Sequence, residues 1–600
     1  MLNLRPQEKT VAHRNLDFVF LLFIPVGYAF INDNWMFTAV GWLDPWYYIG
    51  YGLNYDNPDF LDDYYKISRL PWILIEYFVR DNFSYYYSGV IIQMTLMMGT
   101  TAAMYAALFR TIGRTGALFG VLFYATYVYS YASGGADYHN GCGGLFFALS
   151  WICAIRAGET QASARWTVAT GAMIGLSVHS IIVMVNLAPI PIVFLLAQYR
   201  TLNHRWPPIA KTLLWLASGA LLVTALLCIV NWSVGRNPLF FLLQFKLASS
   251  FIADSSHQTA WWHDWGTPWY LSVNRLYLIP AAAGLAVTFP LAFYIWKSEK
   301  NKTRRDIALL YVLLYAFYGA LWIFWQSVGQ TALDWIYFAY PLIFPLSGLV
   351  GAAASVHAEK LDREAGIYFS LIPAFSVFLV LAPFALHPVF YFEMTDKLFF
   401  AVIGFNFLFL VFILARGVGR WQSTFASGLL CSVAISILNY NAGRGEIDHF
   451  KRDSCHYNAI NGAAIEEAHR FLRESGFGFD RILIWGDANE SVRLPLCPGA
   501  PGSVSLGQIW PSLVSTGFRY VAAPWEAKKL EEISIRRFQE ISENPTLIVQ
   551  VSNSLISAEE LRNRFAVVAS AEMPGQINSH QLKTLPLKLY FFEVGGMKQK

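Results

Sequence analysis

The chain has 600 residues, of which 55% are hydrophobic and only 14% charged, with a formal net charge of +4. A soluble globular domain carries about 25% charged residues, so this composition excludes an ordinary soluble protein, and the small positive balance gives no reason to expect a nucleic-acid partner. Six cysteines in this length do not make a disulfide scaffold.

The N-terminus has a basic lead (Arg5, Lys9, Arg14) and an apolar run from Leu16 to Ile31. No small-residue cleavage site follows, because the chain continues as Asn32-Asp33-Asn34-Trp35, which predicts an uncleaved signal anchor as the first spanning helix. A span needs about 20 mostly apolar residues. Further segments of that kind are 87–109, 114–133, 141–157, 166–181, 184–199, 211–231, 274–296, 306–326, 333–355, 367–387, 397–415 and 422–440, about thirteen with the first. The fifth and sixth share one apolar run, and a break is expected near Asn186 and Pro189. The 21 Trp and 32 Tyr fit many crossings, since their rings collect at membrane interfaces.

Lys and Arg in short loops orient the chain. With the N-terminus in the cytoplasm, the cytoplasmic connections hold Arg110 and Arg114, Arg156 and Arg165, Arg200, Arg205 and Lys211, Lys297 to Arg305, Lys360 and Arg363, and Arg416 and Arg420. The outer connections 134–140 and 327–333 hold no Lys or Arg. Two long outer loops, 32–86 and 232–273, are then on the side reached by the tail.

Beyond residue 440 the pattern changes. Amphipathic segments 461–474 and 558–564 predict helices, and the runs 481–487, 518–523, 546–551 and 587–594 predict strands. The predicted organisation is an α-helical polytopic membrane domain over 1–440 and a soluble extracytoplasmic α/β domain over 441–600. Cys455 and Cys497 of that domain either form a disulfide or stay as two thiols, because sequence does not fix connectivity. Asn-X-Ser/Thr sequences occur at Asn82, Asn231 and Asn489.

Ionisable residues are rare in the spans. His179 is an exception, expected as a satisfied buried histidine rather than a ligand. The acids gather instead in the first outer loop: Asp33, Asp44, Asp56, Asp59, Asp62, Asp63, Glu76 and Asp81. Residues 42–53 predict a short interfacial helix with Asp44 near its start, where Asp also serves as a helix cap. The run Asp62-Asp63-Tyr64-Tyr65-Lys66-Ile67-Ser68-Arg69 follows, with Lys66 and Arg69 on one helix face. Two cations beside a carboxylate at a membrane surface suit a phosphate-bearing substrate: the cations hold the phosphate and the carboxylate takes a proton from an acceptor. The bland alternative has the cations snorkelling or pairing with Asp62 and Asp63.

An uncleaved first helix and an outer loop with an early Asp and a later basic element resemble the GT-C superfamily of glycosyltransferases. Asp334-Trp335-Ile336-Tyr337-Phe338-Ala339-Tyr340-Pro341 is similar to the late helix of its aminoarabinose-transferase and protein O-mannosyltransferase branches. The resemblance covers residues 1–440 as architecture. It implies a GT-C-type enzyme that moves a monosaccharide from a polyprenyl-phosphate carrier to a lipid or glycan acceptor at the outer membrane face, with inversion at the anomeric carbon. The implied setting is a bacterial inner membrane. Asp44 is the implied catalytic base, with Asp33 as rival and Asp137 as a second acid; Lys66 and Arg69 meet the donor phosphate. Tyr64, His139, Trp262 and His263 are further substrate-binding candidates. Asp137, His139 and His263 are the only side chains offered for a divalent metal, at no fixed spacing. The Asp-Glu pair usual in the superfamily is absent, since Pro45 follows Asp44. The rivals are a protein O-mannosyltransferase and, from another class, a lipid or glycan transporter.

Overall fold

The computed structural model describes residues 17–19, 21–26, 48–49, 51–52, 55–56, 65–80, 82–83, 85–127, 130–135, 139–203, 206–253, 275–327 and 336–358, together with seven strands between 482 and 597. The expected spans at 367–387, 397–415 and 422–440, and the helices expected at 461–474 and 558–564, lie outside the described residues. The chain divides into two compact units. One holds Met1–Trp35, Gln93–Ile229 and Leu239–Glu446, and the other holds Met36–Ile92, Val230–Pro238 and Ile447–Lys600.

The helices are α1 (Leu70–Arg80), α2 (Tyr85–Thr126), α3 (His139–Glu159), α4 (Ala164–Ser180), α5 (Pro189–Asn203), α6 (Ile209–Ser233), α7 (Leu242–Ala253), α8 (Arg275–Ser298), α9 (Lys302–Ser327) and α10 (Ile343–Ala358). Among the described residues, five stretches are long and apolar enough to cross a membrane: Tyr87–Ala125, His139–Glu159, Ile182–Asn203, Ile209–Ser233 and Lys302–Gln326.

In the first unit, α2 is two helices joined at Gly113, whose φ of +80° and ψ of −178° only glycine adopts freely. Leu108 lies against Gly120 and Ile112 against Gly116, so the second half folds back along the first. This is the short turn expected between 87–109 and 114–133. Arg110 and Arg114 flank it and are tied down: Arg110 forks onto Glu159 at 2.9 and 3.0 Å, and Arg114 onto the buried Asp17 at 2.5 and 2.8 Å.

The fifth and sixth spans are separate, and the break comes earlier than Asn186. Ile181 is extended (φ −154°, ψ 121°), a 3-10 helix follows over Ile182–Leu187, and α5 opens on Pro189. The β-branched run Ile181-Ile182-Val183 disfavours helix, and a proline at a first helical position loses no hydrogen bond. Both α4 and α5 pack against α3, while α8, α9 and α10 pack together. The core between them is aromatic. Trp151, Phe194 and Tyr311 meet at centroid distances of 4.8–5.8 Å, and Phe147 reaches Phe344 at 5.0 Å. Tyr340 fills the space beside Gly134 and Gly144 and bonds Tyr124 at 3.0 Å. In contrast, Leu214, Leu221, Phe289 and Leu313 point outward, as spans that face lipid require.

In the second unit, β1 (Ile482–Trp485), β4 (Tyr520–Val521), β5 (Leu547–Ser552), β6 (Phe565–Glu572) and β7 (Lys588–Met597) form one sheet in the order β4-β1-β5-β7-β6. β1 is parallel to β4 and β5, and β7 is antiparallel to β5 and β6. The short strands β2 (Ser491–Arg493) and β3 (Ser503–Ser505) pair with each other. All four strands expected from sequence are present; β2, β3 and β6 were not anticipated. Parallel pairing demands a crossover connection from β1 to each of β4 and β5.

Candidate active site

The described part of the first long loop is built on α1. Tyr48, Ile49, Tyr51 and Gly52 are helical and buried. A Cβ at Gly52 would come within 2.5 Å of the Glu76 Cβ, so only glycine lets this segment close onto α1. Sequence placed the Trp and Tyr rings of 42–53 at the membrane interface; Tyr48 and Tyr51 are instead buried in the protein.

Lys66 lies in a 3-10 turn over Tyr65–Ser68, and the Arg69 amide donates to the Lys66 carbonyl at 3.2 Å. Residues three apart eclipse in a 3-10 helix, so both cations reach the same ring. The Lys66 ammonium is 5.9 Å from the Tyr48 ring centroid and the Arg69 guanidinium 5.4 Å. Arg69 also donates a hydrogen bond to the Tyr48 hydroxyl. Lys66 is 1% exposed, which rules out snorkelling.

A second polar knot joins the loop to Val230–Pro238. The Tyr55 hydroxyl donates to Asn231 Oδ1 at 3.1 Å, and Arg236 Nε donates to the Tyr55 carbonyl at 2.8 Å. The Arg236 amide bonds the Asn231 carbonyl at 3.0 Å, and Asn231 Nδ2 donates to the Asn237 carbonyl at 2.8 Å. Burial pushes the Tyr55 phenol up to about 12, against the opposing pull of Arg236, so it is a donor at neutral pH. Asn231 is buried here and cannot serve as a glycosylation acceptor in this fold. Glu76 and Arg80 form a buried pair on successive turns of α1.

Of the residues predicted from sequence, Lys66 and Arg69 are brought together. His139 is buried at the start of α3 in the other unit, where the neighbouring Asn140 donates to Ser133 at 2.7 Å. Asp33, Asp44, Tyr64, Asp137, Trp262 and His263 lie outside the described residues. Among the described residues no His, Cys, Asp and Glu group is arranged to hold a metal. His179 is satisfied as expected: its Nε2 lies 2.8 Å from the Thr224 hydroxyl. Sequence reasoning missed Tyr48 as the ring beneath both cations, and it missed Arg236. The available signal for Arg236 was a basic residue at the start of an outer loop, against the charge bias of the other connections.

No protein-family model matches the chain and no curated protein matches it. Among solved structures, the chain is similar to ArnT from Cupriavidus metallidurans in the apo state, at 14% identity and a TM-score of 0.47 over 97% of this chain and 98% of that one. It is similar also to the same protein bound to undecaprenyl phosphate, at 12% identity and a TM-score of 0.46 over 98% and 99%. The archaeal oligosaccharyltransferase AglB from Archaeoglobus fulgidus, in complex with an inhibitory peptide and a dolichol-phosphate, follows at 13% identity and a TM-score of 0.39 over 91% of this chain and 70% of that one.

Proposed function

We propose that the chain is a membrane glycosyltransferase of GT-C type that transfers a monosaccharide from a polyprenyl-phosphate carrier to a lipid or glycan acceptor at the outer membrane face. The observation that carries this reading is the pair Lys66 and Arg69, held on one tyrosine ring. In the reaction, the bond from the anomeric carbon to the carrier phosphate breaks and a bond from that carbon to the acceptor oxygen forms. The phosphate keeps the electron pair, and Lys66 and Arg69 meet its charge. Asp44 takes the acceptor's proton, and attack from the opposite face inverts the anomeric carbon. The domain over 441–600 binds or orients the acceptor, and the membrane domain over 1–440 holds the carrier's tail among its helices.

A transporter would place half-length broken helices at the midplane. The break at Ile181 instead separates a 17-residue helix from a 22-residue stretch that is long and apolar enough to cross a membrane, so neither piece is half-length, which supports the enzyme over the transporter.

The test is transfer of tritiated glucose, galactose, mannose or arabinose from undecaprenyl phosphate to native-membrane acceptors in proteoliposomes. Wild type, Asp44→Asn, Asp33→Asn and Lys66→Met are compared at matched expression. Loss of transfer in Asp44→Asn but not Asp33→Asn is the expected result. Normal transfer in both shifts the base to Asp137. No transfer by wild type from any donor refutes the reading.

A further inference from the structure

Taking a charge out of water is costly, so a guanidinium buried in protein marks contacts that hold their geometry. Arg236 is 1% exposed. Its Nε donates to the Tyr55 carbonyl at 2.8 Å, and its guanidinium carbon lies 5.8 Å from the Tyr55 ring centroid. Tyr55 is gripped at two further points. Its hydroxyl donates to Asn231 Oδ1 at 3.1 Å, and its amide donates to the Gly52 carbonyl at 3.3 Å. Its ring also meets the Tyr77 ring of α1 at 5.5 Å. Tyr48, Gly52, Tyr55, Lys66, Arg69, Tyr77, Asn231 and Arg236 all belong to one compact unit.

The grip on Tyr55 reaches the two cations by a short path. Gly52 accepts the Tyr55 amide and is seated against Glu76 of α1. Tyr48 stands four residues before Gly52, one helical turn away, and both are helical. Tyr48 is the ring that faces Lys66 and Arg69, and its hydroxyl accepts from Arg69. A single helical turn has no stability of its own. What fixes the ends of residues 48–55 therefore decides where the Tyr48 ring sits, and Arg236 and Asn231 fix one of those ends.

We infer that Arg236 is a positioning residue for the donor-phosphate site: with Asn231 it clamps Tyr55, and the clamp sets the Tyr48 ring beneath Lys66 and Arg69. The inference rests on the proposed transferase reading, in which those two cations meet the carrier phosphate. Arg236 acts on the donor through Tyr48, so its removal costs activity only while that ring is present.

The experiment is a double-mutant cycle on the full-length protein in proteoliposomes, with Arg236→Met and Tyr48→Leu made singly and together. Initial rates of transfer from the tritiated undecaprenyl-phosphate sugars are read beside melting temperature and amide exchange over residues 48–56. Arg236→Met should lower kcat/KM about 10-fold, the scale of one hydrogen bond from a charged donor, with kcat falling as well as KM rising. In the Tyr48→Leu background the same change should cost less than about 2-fold. Arg236→Lys, whose ammonium can still donate to the carbonyl, should recover most of the loss. Equal losses in the two backgrounds, or wild-type transfer by Arg236→Met, overturn the inference. If Arg236→Met fails to fold, Tyr55→Phe takes its place, because it releases the Asn231 end of the clamp. The expected loss is then about 5-fold with Tyr48 present and none with Tyr48→Leu, and equal losses again overturn the inference. Amide exchange separates the clamp from the reading on which it rests. Faster exchange over 48–56 in Arg236→Met, with no transfer by wild type from any donor, leaves the clamp standing and refutes the transferase reading. Unchanged exchange over 48–56 refutes the clamp, whatever the transfer rates.

Discussion

Replacing Tyr48 with Phe removes one hydroxyl and keeps the ring beneath Lys66 and Arg69. The Tyr48 hydroxyl accepts a hydrogen bond from Arg69, and a bond to a charged donor is worth about 1.5–3 kcal/mol. That is an upper bound on what the loss can do to the donor. If Arg69 must be positioned at the donor's expense, kcat/KM falls by about 10- to 150-fold, at 1.36 kcal/mol per decade. The ring itself contributes about 0.5–2 kcal/mol to each cation that it faces, so Tyr48→Leu should fall below Tyr48→Phe by a further several-fold. The assay is initial-rate transfer across a donor series, with folding checked by melting temperature. On the proposed reading, in which the cations meet leaving-group charge, the loss should appear in kcat as well as in KM. Equal activity of wild type and Tyr48→Phe, or a Tyr48→Phe defect matched by a collapse in melting temperature, would refute the claim that the ring positions phosphate-binding groups.

Asp17→Asn removes the carboxylate that faces the largely buried Arg114 guanidinium and should cost about 3–5 kcal/mol, read as lost resistance to denaturant; the exchange Asp17→Arg with Arg114→Asp should recover part of it. Gly171→Ala should cost about 1–3 kcal/mol, because its added methyl would meet the Leu216 carbonyl oxygen across the α4–α6 contact. Tyr55 has its folded pKa raised to about 12 from 10.0, so the unfolded chain releases this proton first and stability falls as pH rises from 10 to 12. Tyr55→Phe should flatten the alkaline loss in melting temperature over that window, and an unchanged slope would remove the assigned burial of the phenol.

The membrane part was legible because its signals are redundant. Apolar length marked the five spanning-length stretches found among the described residues, and paired arginines marked the turn at Gly113. Lys66 and Arg69 were legible as neighbours, because spacing by three is read the same way in an α-helix and a 3-10 turn. The ring between them was not, since Tyr48 is about twenty residues away and nothing in its surroundings separates a buried floor from an interfacial anchor. Arg236 joined Tyr55 across 181 positions, a pairing that only the folded chain supplies. In the tail, β1, β5 and β7 stood out as dense runs of β-branched and aromatic residues, whereas β6 (FAVVASAE) has alanines that weaken the strand signal.

The break at Ile181 sets the parity of the remaining membrane domain, and parity decides which loops share a side. Single cysteines at Gln161 and Asn237, both exposed, read it directly in a chain otherwise free of cysteine. If Ala164–Ser180 and Ile182–Asn203 each cross, and Ile209–Ser233 crosses after them, three crossings lie between the two positions and a membrane-impermeant maleimide reaches them from opposite sides. If the run were one span, two crossings would leave them on the same side. Opposite labelling, with Asn237 reached from outside the cell, puts Arg236 on the outer face, where the proposed reaction takes place. Same-side labelling would put Val230–Pro238 across the membrane from residues 48–80. It would break the charge logic that assigns the two long loops to one face, and the site argued from Lys66, Arg69 and Arg236 would lose its common compartment.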